Sequence, residues 1–160
     1  MPLRNPQALP TDGKIAAFDV GSKTYGIATC DPLRLSANPH GTMPRKKWGQ
    51  DKAKILAFLE QENIACVVVG MPLNMDGTTS ASSDRADSFA SLLEEASGLP
   101  VLLWDERLST VSAQQALFEQ RTGRQTRASK KDVKEHVDSV AAAIFLQAVL
   151  EALRQGQGNS

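Results

Sequence analysis

No stretch of this 160-residue chain is long and apolar enough to span a bilayer, which takes ~20 consecutive apolar residues. The start of the chain lacks the charged-then-apolar run of a secretory leader, so no export signal is expected. Cysteine is scarce. Cys30 and Cys66 are the two in the chain, too few for a disulfide scaffold. Each sits in an apolar, strand-like run and reads as a buried free thiol, which fits a reducing cytoplasm. Net charge is absent too, since 18 basic residues balance 18 acidic ones. No global field advertises a nucleic-acid partner, so any such signal must be local. There is no internal repeat and no interior linker. One domain is therefore expected over residues 14–154, between loose tails at 1–13 and 155–160. A hydrophobic content of 41% with 22% charged residues suits a soluble, globular domain with a real core.

The apolar pattern orders the elements. Lys14–Val20 and residues 25–30 read as strands joined by the tight turn Gly21-Ser22-Lys23, giving a hairpin. A third short strand fits residues 37–43. Trp48–Gln61 has helical spacing in Ile55, Leu56, Phe58 and Leu59. Residues 65–70 form a continuous β-branched run, the pattern of a strand covered on both faces. A helix over 82–96, a strand over 101–106, a helix over 110–121, an exposed loop over 122–131 and a last helix over 137–153 complete the chain. Three strands able to meander, followed by alternating helices and strands, predict an α/β domain. It should hold a five-stranded mixed sheet with helices on both faces.

Three acids stand at structural boundaries of that order. Asp19 closes the first strand, Glu106 closes the fifth, and Asp138 interrupts the apolar side of the last helix, in line with Ala141, Ala142, Phe145 and Val149. A carboxylate on a buried surface is costly unless compensated. Three brought together call for hard divalent cations, which prefer oxygen ligands. Such a site suits metal-assisted cleavage of a phosphodiester. Each acid also has a plainer reading. Asp19 could serve its own hairpin turn, Glu106 a solvated loop, and Asp138 the positive end of its helix. Gly21-Ser22-Lys23-Thr24 resembles the tail of a P-loop. The upstream glycine is missing, however, and a strand follows where a helix is required.

Further candidates surround the trio. Asn74 and Asp76 lie in a loop at a strand's carboxyl end, where Asp76-Gly77 is also an ordinary turn signal. Lys23 and Arg107 adjoin the first and second acids. Arg121, Arg124, Arg127, Lys130, Lys131 and Lys134 form a basic stretch just ahead of Asp138, and Arg45-Lys46-Lys47 forms another. Such runs are commonly solvated surface, but this placement suits a track for a phosphate backbone. Glu135 lies one turn before Asp138 as a supporting acid. His136 projects away from Asp138 and reads as solvated.

Four stretches together resemble the YqgF family of Holliday-junction-resolvase-like proteins and pre-16S rRNA nucleases. They are residues 19–28, 67–77, 105–110 and 137–142, beginning Asp19-Val20-Gly21-Ser22, Val67-Val68-Val69-Gly70, Asp105-Glu106-Arg107 and Val137-Asp138-Ser139. The likeness runs from Lys14 to about Leu150. Tyr25 and Ser109 depart from the usual pattern without touching an acid. The resemblance implies a ribonuclease H-like fold and places the family's catalytic acids on Asp19, Glu106 and Asp138. It implies Mg²⁺ or Mn²⁺, as a pair of ions, and hydrolysis of structured nucleic acid. The 5′ end of precursor 16S rRNA is the first substrate, with ribosomal assembly intermediates as a partner, and a four-way DNA junction is the second. Two rival readings are an actin-like ATPase relative, whose first hairpin is similar, and a non-catalytic RNA-binding assembly factor. Chain length opposes the former, because those ATPases close two such domains around a nucleotide. The intact acid trio opposes the latter.

Overall fold

The computed structural model describes residues 2–74, 76–108 and 130–158, and the side chains of 130–138 and 156–158 lie outside the description. The expected helix at 110–121 and the basic residues Arg121, Arg124 and Arg127 fall outside it as well. The strands are β1 (Lys14–Val20), β2 (Thr24–Cys30), β3 (Ala37–Pro44), β4 (Ile64–Met71) and β5 (Val101–Asp105). The helices are α1 (Trp48–Gln61), α2 (Ala81–Ser97) and α3 (Lys130–Gly158). The sheet order is β3-β2-β1-β4-β5. β1 pairs antiparallel with β2, and β2 with β3, whereas β1 with β4 and β4 with β5 are parallel. This is the mixed five-stranded sheet expected from the sequence.

Strand alternation sends the residues of one element to two cores. Ile15 and Ala17 of β1, Val68 of β4 and Leu102 and Trp104 of β5 meet α3 through Phe145, Leu146, Val149 and Leu150. Ala16, Phe18, Val20, Val67, Val69 and Leu103 point the other way, onto Ile55 and Leu59 of α1 and Phe89, Ala90 and Leu93 of α2. Burying each Val, Leu, Ile or Phe among them is worth roughly 1.5–3 kcal/mol. That explains why β4 is a near-continuous apolar run: both its faces are covered.

The helices are bounded by local chemistry. Ser80 caps α2 by accepting from the Ser83 backbone N–H, and the Ser83 hydroxyl reciprocates at the Ser80 N–H. Gly98, at φ 72°, closes that helix in the left-handed region and donates to the Glu94 carbonyl. Two boundaries differ from expectation. β5 stops at Asp105, and Glu106–Leu108 forms a 3₁₀ turn. α3 begins at Lys130 and continues to Gly158, so residues 155–158 prolong the helix backbone.

Residues 1–13, expected from the sequence as a loose tail, make several contacts with the domain. Leu3 bridges to Leu102 at the β5 edge, donating to the Val101 carbonyl and accepting from the Leu103 N–H. Leu9 is buried in the α3-side core, and the Gln7 amide donates to the Ala152 carbonyl. The three prolines gave no periodicity to read, yet Leu3 and Leu9 carry the apolar surface that anchors the segment.

Candidate active site

In a parallel pair, in-register residues point to the same face. Asp19 follows the Phe18–Val69 pair, and Gly70 lies next on β4, itself paired with Trp104 of β5. Asp19, Gly70 and Trp104 thus share the α3 face at the carboxyl end of the sheet. Open α/β sheets bind ligands at this end. A cavity of about 420 Å³ opens there, lined by Asp19, Val20, Gly21, Pro72, Ser82, Arg85, Glu106, Ala141, Ile144 and Phe145.

β4 separates β1 from β5, so Glu106 must reach across it to join Asp19. Gly70 makes that possible. A Cβ at Gly70 would lie 2.7 Å from Glu106 Oε1, 2.6 Å from Phe145 Cε1 and 2.8 Å from Phe145 Cζ. The carboxylate and the ring occupy the space that any side chain there would need. The cue in the sequence is a lone glycine near the end of a β-branched strand, and nothing local to it shows which side chain fills the space.

The two neighbouring acids after β5 have opposite environments. Asp105 accepts from Arg107 Nε at 3.0 Å and Nη2 at 2.6 Å, and from the Arg107 backbone N–H at 2.9 Å. Hydrogen bonding from Arg107 holds its carboxyl below the usual range. Glu106 turns inward instead. Burial, then the charges of Asp19 and Asp105, push its carboxyl up to about 7 from an ordinary 4.5. The two adjacent carboxylates are thus driven apart, one held ionised by its arginine and the other resisting ionisation.

The remaining candidates sort by position. Arg107 is committed to Asp105 and also lies 3.5 Å from the Asn74 carbonyl. Asn74 and Asp76 hold their own turn: the Asn74 amide donates to the Thr78 hydroxyl, and Asp76 accepts from the Thr78 N–H and hydroxyl. Both are exposed at the rim, as is Lys23 in the β1–β2 turn. Position 138 falls in the α3 backbone one turn before Ala141 and two before Phe145, both of which line the cavity. The side chains of Asp138, Glu135, Lys130, Lys131 and Lys134 lie outside the described residues, as does His136. Among the described residues, no group of three metal-ligating side chains is complete. The donor chemistry is nonetheless right for a hard cation: two carboxylates share one cavity, and the charge of one resists ionisation of the other.

That resistance has a measurable consequence. The native state keeps the Glu106 proton at pH values where the unfolded chain has lost it. Relative to Glu106→Gln, the cation-free wild type should be most stable below pH 4.5 and lose that advantage as pH rises to about 7. Melting curves of both proteins in EDTA across this range provide the check. A difference in melting temperature that stays constant with pH would contradict the placement of Glu106.

A family model described as "RuvX: Holliday junction resolvase" matches residues 13–152. A curated relative from Ruegeria pomeroyi, named "Putative pre-16S rRNA nuclease", is 42% identical over 147 residues and aligns over 92% of each chain. The Thermus thermophilus RuvC structure superposes with a TM-score of 0.56 at 14% identity, covering 91% of this chain and 96% of that one. Thermus thermophilus RuvC in complex with a Holliday junction substrate gives 0.54 at 15% identity, with the same coverage of 91% and 96%. At such identities the structural likeness establishes the ribonuclease H-like fold alone. With a family model matched over residues 13–152 and relatives about 42% identical over most of its length, the chain belongs to the RuvX (YqgF) family of Holliday junction resolvases, a family of nucleases.

Proposed function

We propose that the Asp19–Glu106 cavity is the catalytic centre of a divalent-cation-dependent endonuclease that hydrolyses phosphodiesters in structured nucleic acid. The observation that carries this reading is Glu106 reaching over side-chain-free Gly70 into the cavity of Asp19. Asp138, one helical turn before Ala141, supplies the third carboxylate in this reading. Asp19, at the carboxyl end of the central strand β1, would hold both ions of an Mg²⁺ or Mn²⁺ pair, and Glu106 and Asp138 would each help to hold one. Bound there, the cations would supply charge stabilisation at the phosphoryl oxygens and acidify an attacking water. The chain's own contribution is positional. β1 fixes Asp19, the 3₁₀ turn aims Glu106, and Phe145 and Ile144 form an apolar wall that limits water. Glu106 must lose its proton to bind a cation, so cation affinity should rise with pH through about 7.

The preferred substrate is the 5′ end of precursor 16S rRNA, supported by the names of curated relatives at about 42% identity, and such a role would be cytoplasmic. A four-way DNA junction is the second reading, favoured by the description of the matching family. Lys23, Asn74 and Arg107 would contact phosphates at the rim. The basic residues Arg124, Arg127, Lys130, Lys131 and Lys134 would extend that track. Charge reversal at Arg124, Arg127 and Lys130 should flatten the salt dependence of binding, by about 0.7–0.9 in the log–log slope per lost phosphate contact. An unchanged slope would make the segment a solvated surface.

The third carboxylate is tested by melting with and without Mn²⁺. Asp138→Asn should leave the cation-free fold at least as stable and remove most of the Mn²⁺ stabilisation, since a ligand of the native state stabilises by mass action. An Asp that serves only the fold predicts the reverse: lower stability without cation and an intact Mn²⁺ response.

A further inference from the structure

The catalytic cavity does not end at the sheet edge. Arg85, in the first turns of α2, lines it and also lines a second cleft of about 370 Å³. That cleft lies on the opposite face of the sheet, where Tyr25 and Phe89 belong to the α1–α2 core. Three cations face it, Arg45, Lys46 and Arg85, against the single acid Asp84. Arg85 is half-buried. Among the described residues, none holds its guanidinium by a hydrogen bond or ion pair. Arg45 Nη1 donates to the Gly21 carbonyl at 2.9 Å, which ties this cleft to the turn that follows Asp19.

The aromatic side of the cleft is rigid. Trp48 stands edge-on to Phe89 at 5.9 Å, and Phe89 packs on Tyr25 at 5.1 Å. The Tyr25 hydroxyl donates to buried Asp51 at 2.9 Å, and Asp51 also accepts from the Lys46 backbone N–H. Burial, then the hydrogen bond to Asp51, pushes the Tyr25 hydroxyl up to about 12, so it stays a neutral donor. Asp51 is thereby consumed inside the fold. A half-buried indole braced from below, with cations around it, has the makings of a stacking platform for one base and its phosphates.

We propose that this cleft binds an unpaired nucleotide of the substrate strand, with Trp48 against the base and Arg85 on the phosphate that links it to the catalytic cavity. The proposal rests on the nuclease reading and narrows its substrate to strands with unpaired residues beside the cleavage point. A blunt duplex keeps its base faces stacked and has none to offer Trp48. The strand would cross the carboxyl edge of the sheet at Arg85, the residue common to both cavities.

Intrinsic fluorescence tests this in EDTA, where no cleavage intervenes. Trp48 and Trp104 are the two tryptophans, and Trp104 is buried. A mixed-sequence single-stranded RNA of about 12 nucleotides, within the usual site size of such grooves, should quench the emission. Trp48→Phe should abolish the quenching. Arg85→Ala should weaken binding about tenfold and lower the log–log salt slope by about 0.7, while Arg85→Lys keeps the slope. A blunt RNA duplex of equal length should quench little. Wild-type cleavage, assayed separately with Mn²⁺, reports on the catalytic reading alone. Quenching unaffected by Arg85→Ala, or equal quenching by the blunt duplex, would overturn the proposal.

Discussion

Asp19→Asn should keep the sheet intact and lower Mn²⁺-dependent cleavage by at least ~10³-fold. The magnitude follows from the several kcal/mol of charge stabilisation that a bound cation supplies, at tenfold in rate per ~1.4 kcal/mol. An amide is nearly isosteric with the carboxylate, and it retains one oxygen but no charge. Asp19 belongs to a strand whose neighbours on both faces are buried, so the fold has other support. The same substitution has a readout that does not depend on activity. Asp19 is the second cause, after burial, of the raised Glu106 carboxyl. Removing its charge should let Glu106 titrate at a lower pH, though still above the ordinary 4.5 because burial persists. Side-chain carboxyl NMR titration of both proteins in EDTA would show this. An unchanged Glu106 titration would mean that the two acids do not share a site, whatever happens to cleavage.

Gly70→Ala should be nearly as damaging to the reaction while touching no charged group. Its new methyl would lie 2.6–2.8 Å from Phe145 and from Glu106 Oε1, well inside ordinary contact. One or both side chains must move. Displacing a catalytic group by ~1 Å can cost on the order of 10²-fold in rate. Overpacking a core costs ~1–3 kcal/mol, so stability should drop by a few degrees in melting temperature. Gly70→Val should be worse on both counts. The informative comparison is Gly98→Ala, also a glycine change but at a helix end, with nothing near its added Cβ. It should lose stability through its positive φ and keep activity. Wild-type cleavage by Gly70→Ala would show that Glu106 has no need of that space.

Much of this arrangement was legible in the sequence, and the reason is periodicity. The apolar run of β1 and the β-branched run of β4 report burial on both faces, and such burial places a strand inside the sheet. The acids stood out because Asp19 and Asp138 break apolar patterns. The contact between Glu106 and the Asp19 cavity was not legible. It depends on β4 lying between β1 and β5, a long-range fact, and on the missing side chain of Gly70. The role of Arg85 was hidden for a similar reason. On α2 it reads as one charge on a solvated face, and only the register of that helix against the sheet edge puts it between two cavities. Tyr25 and Asp51 form a buried pair across 26 positions of sequence, and nothing local announces it. The packed N-terminal segment escaped because a lone bridge at Leu3 has no pattern to display.

The most direct test of the catalytic claim is one cleavage experiment. Labelled precursor 16S rRNA 5′ ends and labelled four-way DNA junctions are incubated side by side with the protein, in Mn²⁺ and in EDTA. The account predicts cutting in Mn²⁺, with the RNA preferred, and none in EDTA. Two intact substrates in Mn²⁺, or cutting that persists in EDTA, would contradict it.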